Sequence, residues 1–332
     1  MSTTNPNINA DRSFLDRFNH HFDEIEEAIR ENICSPGSLI EDISEHSLLG
    51  NGKRLRPLLF VLTSQLCGYR GKDLYRLATI FEYIHTASLL HDDVLDDAET
   101  RRRKPSAKQV WGNLAAVLGG DFLYLRAVSM AIDSANMAVL RVLSEATARM
   151  VEGQFAELVH AHNWSLEKEE YFKIIASKTG ALISATCAGG AVVADADEET
   201  VERLERFGLN LGIAFQLIDD VLDYTGSEDV VGKPVGKDLR EGKITLPLIY
   251  ALSDLEKAER EGFAELFKTH RANEKDYAAL IKRVRNNGVV DSIRMEANSY
   301  VDTAVSFLDP FSGSRSKEDL LALSRYVCDR AF

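Results

Sequence analysis

Apolar residues recur at steps of three and four along most of this chain. Phe14, Phe18 and Phe22 follow one another in this way, and Leu140 and Leu143 begin a similar series. This spacing predicts amphipathic α-helices, because residues three and four apart share one face of a helix. Alternating apolar and polar runs with hairpin turn residues are nearly absent. The pattern therefore predicts an all-α protein with roughly ten or more helices.

The positions of proline and glycine predict how these helices are divided. Only seven prolines occur, and none lies between Pro105 and Pro234. Proline costs about 3 kcal/mol inside a helix, so this stretch is permissive for consecutive helices. Gly189-Gly190 is among the predicted breaks. No shift in composition marks a domain boundary, so residues 11–332 are expected to form one domain after a disordered segment at 1–10.

Composition and charge exclude several classes of function. The chain has 332 residues, of which 45% are hydrophobic and 27% charged, and its formal net charge is −13. A nucleic-acid partner finds no general electrostatic attraction on such a surface, and a polybasic membrane anchor is not expected. The four cysteines form no CxxC pair, which favours reduced thiols over a disulfide framework or a zinc site.

The N-terminus and the apolar runs bear on localisation. The first residues are polar and lack the apolar core of a signal peptide. No uninterrupted apolar run approaches the roughly 20 residues that span a bilayer. We therefore expect a cytoplasmic protein without stable membrane insertion.

Two segments contain the pattern Asp-Asp-x-x-Asp, at Asp92–Asp96 and at Asp219–Asp223. On a helix the first and last aspartate of each segment share one face, where like charges are unfavourable. A carboxylate in apolar surroundings is also costly unless it is paired. Mg²⁺ would relieve both costs, since it combines a few carboxylates with substrate phosphates and water. One such segment would be better explained as a solvated acidic face or as internal salt bridges, but two copies in apolar context favour a metal site. Neither segment has the glycine and terminal glutamate of an EF-hand.

Basic residues near these segments could bind a diphosphate. The segment GNGKRLRP offers backbone N–H groups together with Lys53 and Arg56, although a solvated basic helix start is an equally good interpretation of it alone. His85 lies seven residues before the first cluster, on nearly the same helix face, and Arg101 and Arg102 follow that cluster.

A second group of polar and basic residues accompanies the later cluster: Lys178, Thr179, Gln216, Lys233 and Lys243. The glycine-lysine pairs around it do not form a P-loop. Proline or aspartate follows the lysine where serine or threonine is required, and no strand precedes the loop.

The chain resembles the trans-isoprenyl (polyprenyl) diphosphate synthase family, in its octaprenyl-like branch, over about residues 10 to 330. Four segments carry the resemblance in the family's order: GNGKRLRP, FEYIHTASLLHDDVLDDAETRR, ASKTGALI and FQLIDDVLDYTGSEDVVGKPVGKDLREGKITLPLI. The resemblance implies a single-domain bundle of antiparallel helices around a deep central cavity, and a homodimer. Arg103 departs from the family pattern, which has glycine at this position.

The resemblance also implies roles for particular side chains. The implied metal ligands are Asp92, Asp96 and Asp219, with Asp93, Asp220 and Asp223 as supporting ligands or as groups that act through water. The implied ligands of isopentenyl diphosphate are Lys53, Arg56, His85 and Arg102. The residues implied around the allylic diphosphate are Arg101, Lys178, Thr179, Gln216, Lys233 and Lys243. The implied catalytic set is Asp92, Asp96, Lys178 and Asp219.

The implied activity is a Mg²⁺-dependent condensation of isopentenyl diphosphate with an allylic diphosphate to an all-trans polyprenyl diphosphate. Ala87 and Ser88 are small where short-chain members tend to have bulky aromatic residues, which favours a long product. Small residues are also usual at close helix contacts, so shorter farnesyl or geranylgeranyl products stay open, and Phe122, Met130 or Met150 could close a longer pocket. A terpene cyclase is disfavoured by the second aspartate segment, and a regulatory subunit of a heteromeric synthase by the intact state of both segments.

Overall fold

The structure is a computed structural model that describes residues 14–33, 37–49, 52–226, 235–269, 271–286 and 288–329. Within these ranges the secondary structure is helical apart from one hairpin of two short strands, β1 (Thr100–Arg101) and β2 (Lys104–Pro105). This confirms the predicted all-α class. The expected disordered segment at 1–10 lies outside the described residues.

The helices follow one another along the chain with short connections. The first are a 3₁₀ turn (Asp16–Phe18), α1 (Asn19–Asn32), α2 (Leu39–Leu48), α3 (Leu55–Leu66), α4 (Leu74–Leu95) and α5 (Ala107–Asp133). The middle of the chain forms α6 (Met137–Val159), α7 (Lys168–Ile175), a π-helical turn (Ala176–Gly180), α8 (Ala181–Val193) and α9 (Glu198–Thr225). The remainder forms α10 (Lys237–Arg240), α11 (Leu246–Ser253), α12 (Lys257–Lys268), α13 (Glu274–Asn286), α14 (Val289–Ser306) and α15 (Arg315–Asp329).

The chain divides into two compact units, each built from separate stretches of sequence. The first unit comprises Met1–Thr147, Leu182–Gly208 and Phe307–Leu321. The second unit comprises Ala148–Ala181, Leu209–Ser306 and Ala322–Phe332. The first aspartate cluster belongs to the first unit, and the second cluster belongs to the second unit.

Helix α4 is the central element of the first unit. It packs on α5, α3, α1 and α2, and apolar side chains such as Ile80, Phe81 and Ile84 are almost completely buried. A helix with apolar side chains on several sides packs against more than one neighbour. Each such side chain contributes about 1.5–3 kcal/mol through its burial. The helix that carries His85 and Asp92 is therefore held firmly along its length.

The glycine pair at 189–190 does not end a helix, so the predicted break there is wrong. Both glycines lie inside α8, next to the helices of the first unit. A Cβ atom at Gly190 would lie 2.1 Å from Thr63 Oγ1 and 2.9 Å from the Phe60 carbonyl oxygen. The absence of side chains here permits a close helix contact, which a search for helix breakers cannot distinguish from a turn.

Helix α5 bears on the expectation that the protein has no stable membrane insertion. Among the described residues it is the one helix that is long and apolar enough to cross a membrane by length and composition. Polar residues such as Asp121 interrupt its apolar runs. A single helix of this kind is weak evidence for insertion, because core helices of soluble proteins can have the same length and apolar composition.

The second unit is built around α11, which packs on α13, α14 and α7. A polar contact joins three of these helices. Lys168 Nζ donates a hydrogen bond to the Tyr250 hydroxyl at 2.7 Å, and that hydroxyl donates to Glu296 at 2.6 Å. Lys168 also forms an ion pair with Glu296 at 2.7 Å. Helix α7, which leads into the π-helical turn, is thereby attached to the core of its unit.

Candidate active site

The first aspartate cluster lies at the C-terminal end of α4. The helix ends because Asp97 adopts a left-handed conformation with φ 51°. The Ala98 N–H then bonds to the Asp93 carbonyl at 2.9 Å, and the Asp97 N–H bonds to that of Val94 at 3.4 Å. This pattern is a Schellman motif, which satisfies the last carbonyl groups of a helix. It places Asp96, at the C-cap, one turn beyond Asp92.

The middle aspartate of this cluster is buried and paired. Asp93 is 3% exposed, and its Oδ1 accepts hydrogen bonds from Arg101 Nε at 2.8 Å and Nη2 at 2.5 Å. Asp92 and Asp96 are half-buried. The positive charge of Arg101 therefore balances the negative charge of Asp93.

The arginines after the cluster lie on the β-hairpin. Its two turn residues, Arg102 and Arg103, have φ angles of 52° and 64°. Two left-handed residues between antiparallel strands are typical of a type I′ turn, which usually contains glycine or asparagine. Arg103, which departs from the family's glycine, thus keeps a glycine-like backbone. Ser106 fixes the base of the hairpin, because its hydroxyl donates to the Ala98 carbonyl at 2.6 Å.

Three residues predicted to bind isopentenyl diphosphate lie close together in the first unit. Burial, together with the positive charges of Arg56 and Arg102, lowers the pKa of His85 well below its usual value. His85 is therefore neutral at pH 7 and can offer a diphosphate a hydrogen bond without a charge. A Cβ atom at Gly52 would lie 2.6 Å from Arg102 Nη1, so the glycine gives that guanidinium room. Lys53 follows this glycine and is half-buried.

Arg54 and Glu82 lie beneath this cluster, and the sequence analysis missed both. Arg54 Nη1 donates to Glu82 at 2.8 Å, and its Nε donates to Glu26 at 2.6 Å. A third donor of Arg54 reaches the Leu48 carbonyl. The side chains of Arg54 and Glu82 are only 2% and 3% exposed. A lone glutamate inside the apolar run of α4 was the available signal, because a buried carboxylate requires a partner.

A cleft in the first unit is lined by the middle aspartate of the first cluster and by basic residues of the hairpin. It has about 440 Å³ of empty space, and Asp93, Arg101, Arg102 and Lys104 are among its lining residues. His46, Thr86 and Leu90 line it as well. The cleft therefore has the positive lining that a diphosphate requires.

The second aspartate cluster lies near the C-terminal end of α9, where its middle residue is again buried. Asp220 is 2% exposed. Its Oδ2 accepts a hydrogen bond from the Tyr171 hydroxyl at 2.6 Å, and its Oδ1 accepts one from Gln216 Nε2 at 2.7 Å. Thr179 Oγ1 donates to Gln216 Oε1 at 2.8 Å. Thr179 and Gln216, which the sequence analysis selected separately, thus touch each other.

The outer aspartates of this cluster are more accessible. Asp219 is exposed and Asp223 half-buried. The carboxylate of Asp223 accepts the backbone N–H groups of Lys237 at 3.2 Å and Asp238 at 3.1 Å. It therefore also holds the start of α10, where a negative charge is favourable.

The crowding of carboxylates has an electrostatic consequence. Burial, together with the charges of Asp219 and Asp223, raises the pKa of Asp220 to about 7, although the hydrogen bonds from Tyr171 and Gln216 lower it. Burial, followed by Asp223 and Asp220, also raises the pKa of Asp238 well above its usual value. These groups repel one another as anions, so a bound cation would stabilise the cluster.

A larger cleft in the second unit brings together most of the residues predicted around an allylic diphosphate. It has about 670 Å³ of empty space. The predicted residues that line it are Lys178, Thr179, Gln216, Asp220 and Lys243. Lys233 lies outside the described residues.

The two lysines of this cleft are held by glutamates. Lys178 Nζ donates to Glu157 on α6 at 2.5 Å, and Lys243 Nζ donates to Glu241 at 2.8 Å. Lys178 and Thr179 lie in the π-helical turn, a local widening of a helix that is frequent at functional sites. The sequence analysis missed Glu157 and Tyr171 because nothing in their local sequence distinguishes them from an ordinary helix surface and core.

The carboxylates fit a hard divalent cation in chemical type. Asp92 and Asp96 at one cluster, and Asp219 and Asp223 at the other, are oxygen donors on one helix face. Within the described residues no group of three or more His, Cys, Asp or Glu side chains is arranged to hold a metal ion by itself. A cation at either cluster would thus need oxygen atoms from water or from a substrate, as Mg²⁺ commonly does.

Comparisons with known proteins agree with this chemistry. The polyprenyl synthetase family model matches residues 37–284. An all-trans-nonaprenyl-diphosphate synthase (geranyl-diphosphate specific) of Rhodobacter capsulatus is 36% identical over 310 residues, which are 93% of this chain and 94% of that protein. The octaprenyl diphosphate synthase of Escherichia coli K12 is 35% identical and covers 91% of this chain and 94% of its own length.

A solved structure is similar over nearly the whole chain. It is a polyprenyl synthase from Caulobacter crescentus CB15, complexed with calcium and isoprenyl diphosphate. It is 35% identical with a TM-score of 0.91, and the match covers 97% of this chain and 98% of that one. The matched relatives also include a geranylfarnesyl diphosphate synthase and component 2 of a heptaprenyl diphosphate synthase.

Proposed function

Since this chain belongs to the polyprenyl synthetase family and is a prenyl diphosphate synthase, we propose that it uses Mg²⁺ and makes a long, octaprenyl-like product. Its substrates are isopentenyl diphosphate and an allylic diphosphate. The reaction joins them head to tail and releases pyrophosphate.

The observation that carries the metal-dependent part is the crowding of acidic groups on α9. Asp220 is buried, and its pKa is raised to about 7 by burial and by the neighbouring Asp219 and Asp223. A cation bound by Asp219 would relieve this repulsion. The calcium in the similar Caulobacter structure supports a divalent ion.

The side chains of each unit support one part of the chemistry. Bound Mg²⁺ would neutralise the charge that develops on the departing diphosphate. Lys178, held by Glu157 at 2.5 Å, adds a fixed positive charge on the side of the second cluster, which is electrostatic catalysis by a preorganised site. Arg56 and His85 hold the diphosphate of isopentenyl diphosphate in the first unit.

The bonds change in a defined order. The allylic C–O bond breaks, and both of its electrons leave with pyrophosphate. The double bond of isopentenyl diphosphate attacks the resulting cation and forms the new C–C bond. The lengthened cation then loses a proton to the released pyrophosphate. This loss forms a new double bond, so the product is again an allylic diphosphate. No protein nucleophile is needed.

The test is incubation of the purified chain with radiolabelled isopentenyl diphosphate, Mg²⁺ and a series of allylic primers. We expect label in polyprenyl diphosphates and no turnover in the presence of EDTA. Cyclic hydrocarbon without incorporation of isopentenyl units would identify a terpene cyclase. Absence of turnover by the chain alone, with turnover after addition of a partner chain, would identify a subunit of a heteromeric synthase.

The size of Ala87 supports a long product. Ala87 lies on α4, five residues before Asp92, and is 3% exposed. We expect Ala87→Tyr to shift the product to fewer isoprene units, because an aromatic ring there would close the pocket that holds the growing chain. The readout is reversed-phase chromatography of the dephosphorylated products.

Overpacking is the alternative explanation of an effect at Ala87. A ring in a packed position costs about 1–3 kcal/mol. The first condensation should keep its rate if the variant is folded, which separates a shortened pocket from general damage. An unchanged product distribution in a folded variant would contradict the assignment of this position.

An apolar stripe on α5 supports the proposed homodimer. Beyond Gly112, where the backbone leaves helical geometry, Leu114, Leu118 and Leu125 follow one another at steps of four and seven, and are 74%, 57% and 61% exposed. They therefore share one helix face. Contiguous apolar surface of this kind marks an interface, and a second copy of the chain would cover the stripe in both partners.

Light scattering after size-exclusion chromatography tests this assembly. We expect a mass of twice 37.0 kDa. Leu114→Arg should shift the mass to that of a monomer, because a charge in an apolar interface is costly. Met295→Arg is the matched control, since Met295 is 73% exposed on α14 and lies outside the stripe. A dimer that survives Leu114→Arg would exclude this face.

The single-domain organisation over residues 11–332 and a cytoplasmic location without stable membrane insertion are also part of this proposal. The net charge of −13 supports the absence of a nucleic-acid partner.

A further inference from the structure

Two hydrogen-bonded contacts tie α7 and the π-helical turn to α9. One is the bond of the Tyr171 hydroxyl to Asp220 at 2.6 Å, and the other is the bond of Thr179 to Gln216 at 2.8 Å. Gln216 and Asp220 are themselves joined at 2.7 Å, one helical turn apart. The contacts therefore form a continuous path from Tyr171 through Asp220 and Gln216 to Thr179.

This path fixes the π-helical turn at its two sides. Tyr171 lies on α7 before the turn, and Thr179 lies within it. On another side the turn is in close contact with α6, because a Cβ atom at Gly153 would lie 2.5 Å from the Lys178 backbone nitrogen. A π-helical turn is a rare departure from regular α-helix geometry, and these contacts hold it in place from several sides. Because Lys178 lies within this turn, the same contacts also fix its position.

Both carboxylate oxygens of Asp220 are used within this path. Each accepts a hydrogen bond from a neutral donor, and the residue is 2% exposed. The Tyr171 bond has the length typical of a hydroxyl that donates to a carboxylate, which is among the stronger hydrogen bonds in proteins. Asp219, beside it in the sequence, is exposed. The two neighbouring aspartates thus have different environments.

We propose that Tyr171 is a positioning residue of the metal-dependent site, and that it acts by holding Asp220 as an internal anchor instead of as a metal ligand. Through this anchor Tyr171 sets where Asp219 and Asp223 face, and through Gln216 and Thr179 it sets where Lys178 lies. The inference rests on the proposed function, because it concerns how the side chains of the same site are positioned to bind Mg²⁺ and a diphosphate.

Tyr171→Phe removes the donor and keeps the ring. We expect Mg²⁺, titrated calorimetrically into the protein with inorganic pyrophosphate, to bind about 10-fold more weakly, since loss of a partner that orients a ligand typically costs about 10- to 100-fold in metal affinity. The Mg²⁺ concentration for half-maximal turnover should rise by a similar factor, and saturating Mg²⁺ should restore much of kcat. The KM for isopentenyl diphosphate should not change, because its predicted ligands lie in the other unit.

Tyr300→Phe is the matched control. The Tyr300 ring stacks on Phe172 at 5.6 Å, next to Tyr171 in the sequence, so loss of its hydroxyl tests for a general effect of changing a tyrosine near α7. We expect this variant to bind Mg²⁺ and pyrophosphate as the wild type does. Equal Mg²⁺ affinity in the wild type and both variants would overturn the inference.

A second variant keeps the test decisive if Tyr171→Phe does not fold. Gln216→Met removes the other donor to Asp220, and the same weakening of Mg²⁺ binding is expected; wild-type Mg²⁺ affinity in this variant would overturn the anchoring role. If the wild-type protein makes no product with any primer, the proposed function itself is contradicted. If the wild type is active and the Tyr171→Phe variant binds Mg²⁺ equally well, only the positioning role is contradicted.

Discussion

Asp92→Ala and Asp219→Ala are each expected to lower kcat/KM by at least about 100-fold, the loss typical when one group that stabilises developing charge is removed. Asp92 lies on the face of α4 that Asp96 shares, and Asp219 is exposed on α9. Each is the first aspartate of its cluster, whereas the middle aspartates are bonded to Arg101 and Tyr171. Steady-state kinetics with a fixed primer and varied Mg²⁺ measures the effect.

Asp97→Asn is the matched control for the first cluster. Its side chain is 94% exposed and pairs with Lys108, and asparagine tolerates the left-handed backbone at this position. Asp254→Asn, at an exposed site of the second unit, serves the second cluster. Both controls should retain near-wild-type kinetics. Near-wild-type turnover in Asp92→Ala or Asp219→Ala would contradict the role assigned to that residue.

Arg54→Met is expected to lower the free energy of unfolding by about 3–5 kcal/mol, the usual cost of removing one partner from a buried ion pair. The Arg54 side chain is 2% exposed and the Glu82 side chain 3%, so Glu82 would keep a buried charge without its closest partner. Methionine preserves most of the side-chain volume, which limits the effect to the loss of the guanidinium. Urea unfolding monitored by circular dichroism gives the difference.

Two further variants sharpen this measurement. Arg203→Ala removes a surface pair with Glu199, one helical turn apart, and should cost no more than about 0.5 kcal/mol. The double variant Arg54→Met/Glu82→Leu should recover much of the loss, because an apolar pair can replace a buried ion pair at little cost. If the double variant is no more stable than the single one, the loss does not come from the buried charge of Glu82.

The fold class and the two acidic segments could be predicted because they depend on local sequence. Helical spacing is visible in any window of the chain, and Asp-Asp-x-x-Asp places its outer carboxylates on one face by helix geometry alone. The predicted break at Gly189-Gly190 was wrong because the role of these glycines depends on a distant part of the chain. Glycine permits both a turn and a close helix contact, and only the partner helix decides between them.

The support of the site could not be predicted because it depends on contacts between distant residues. Tyr171 touches Asp220 across 49 positions of sequence, and Arg54 touches Glu82 across 28. Neither tyrosine nor arginine has a local pattern that indicates such a partner. The different environments of Asp219 and Asp220 were hidden for the same reason, since adjacent residues on a helix point in different directions and only the surroundings show which one is buried.

The last helix of the chain, α15, contacts the N-terminal part of the first unit. Folding of this unit during synthesis therefore depends on the order in which the ribosome releases the chain. Arg17 bonds to Asp319 across 302 positions, and Gln65 accepts a hydrogen bond from Ser316 across 251. At roughly 5–20 residues per second, synthesis takes on the order of tens of seconds, and throughout that time the 3₁₀ turn at Asp16–Phe18 and α3 lack these partners. Contacts of such long range also slow folding after release. The nascent protein therefore has a long interval in which apolar helix faces of its N-terminal part are accessible to chaperones, and cells that produce it rapidly should place a corresponding demand on them.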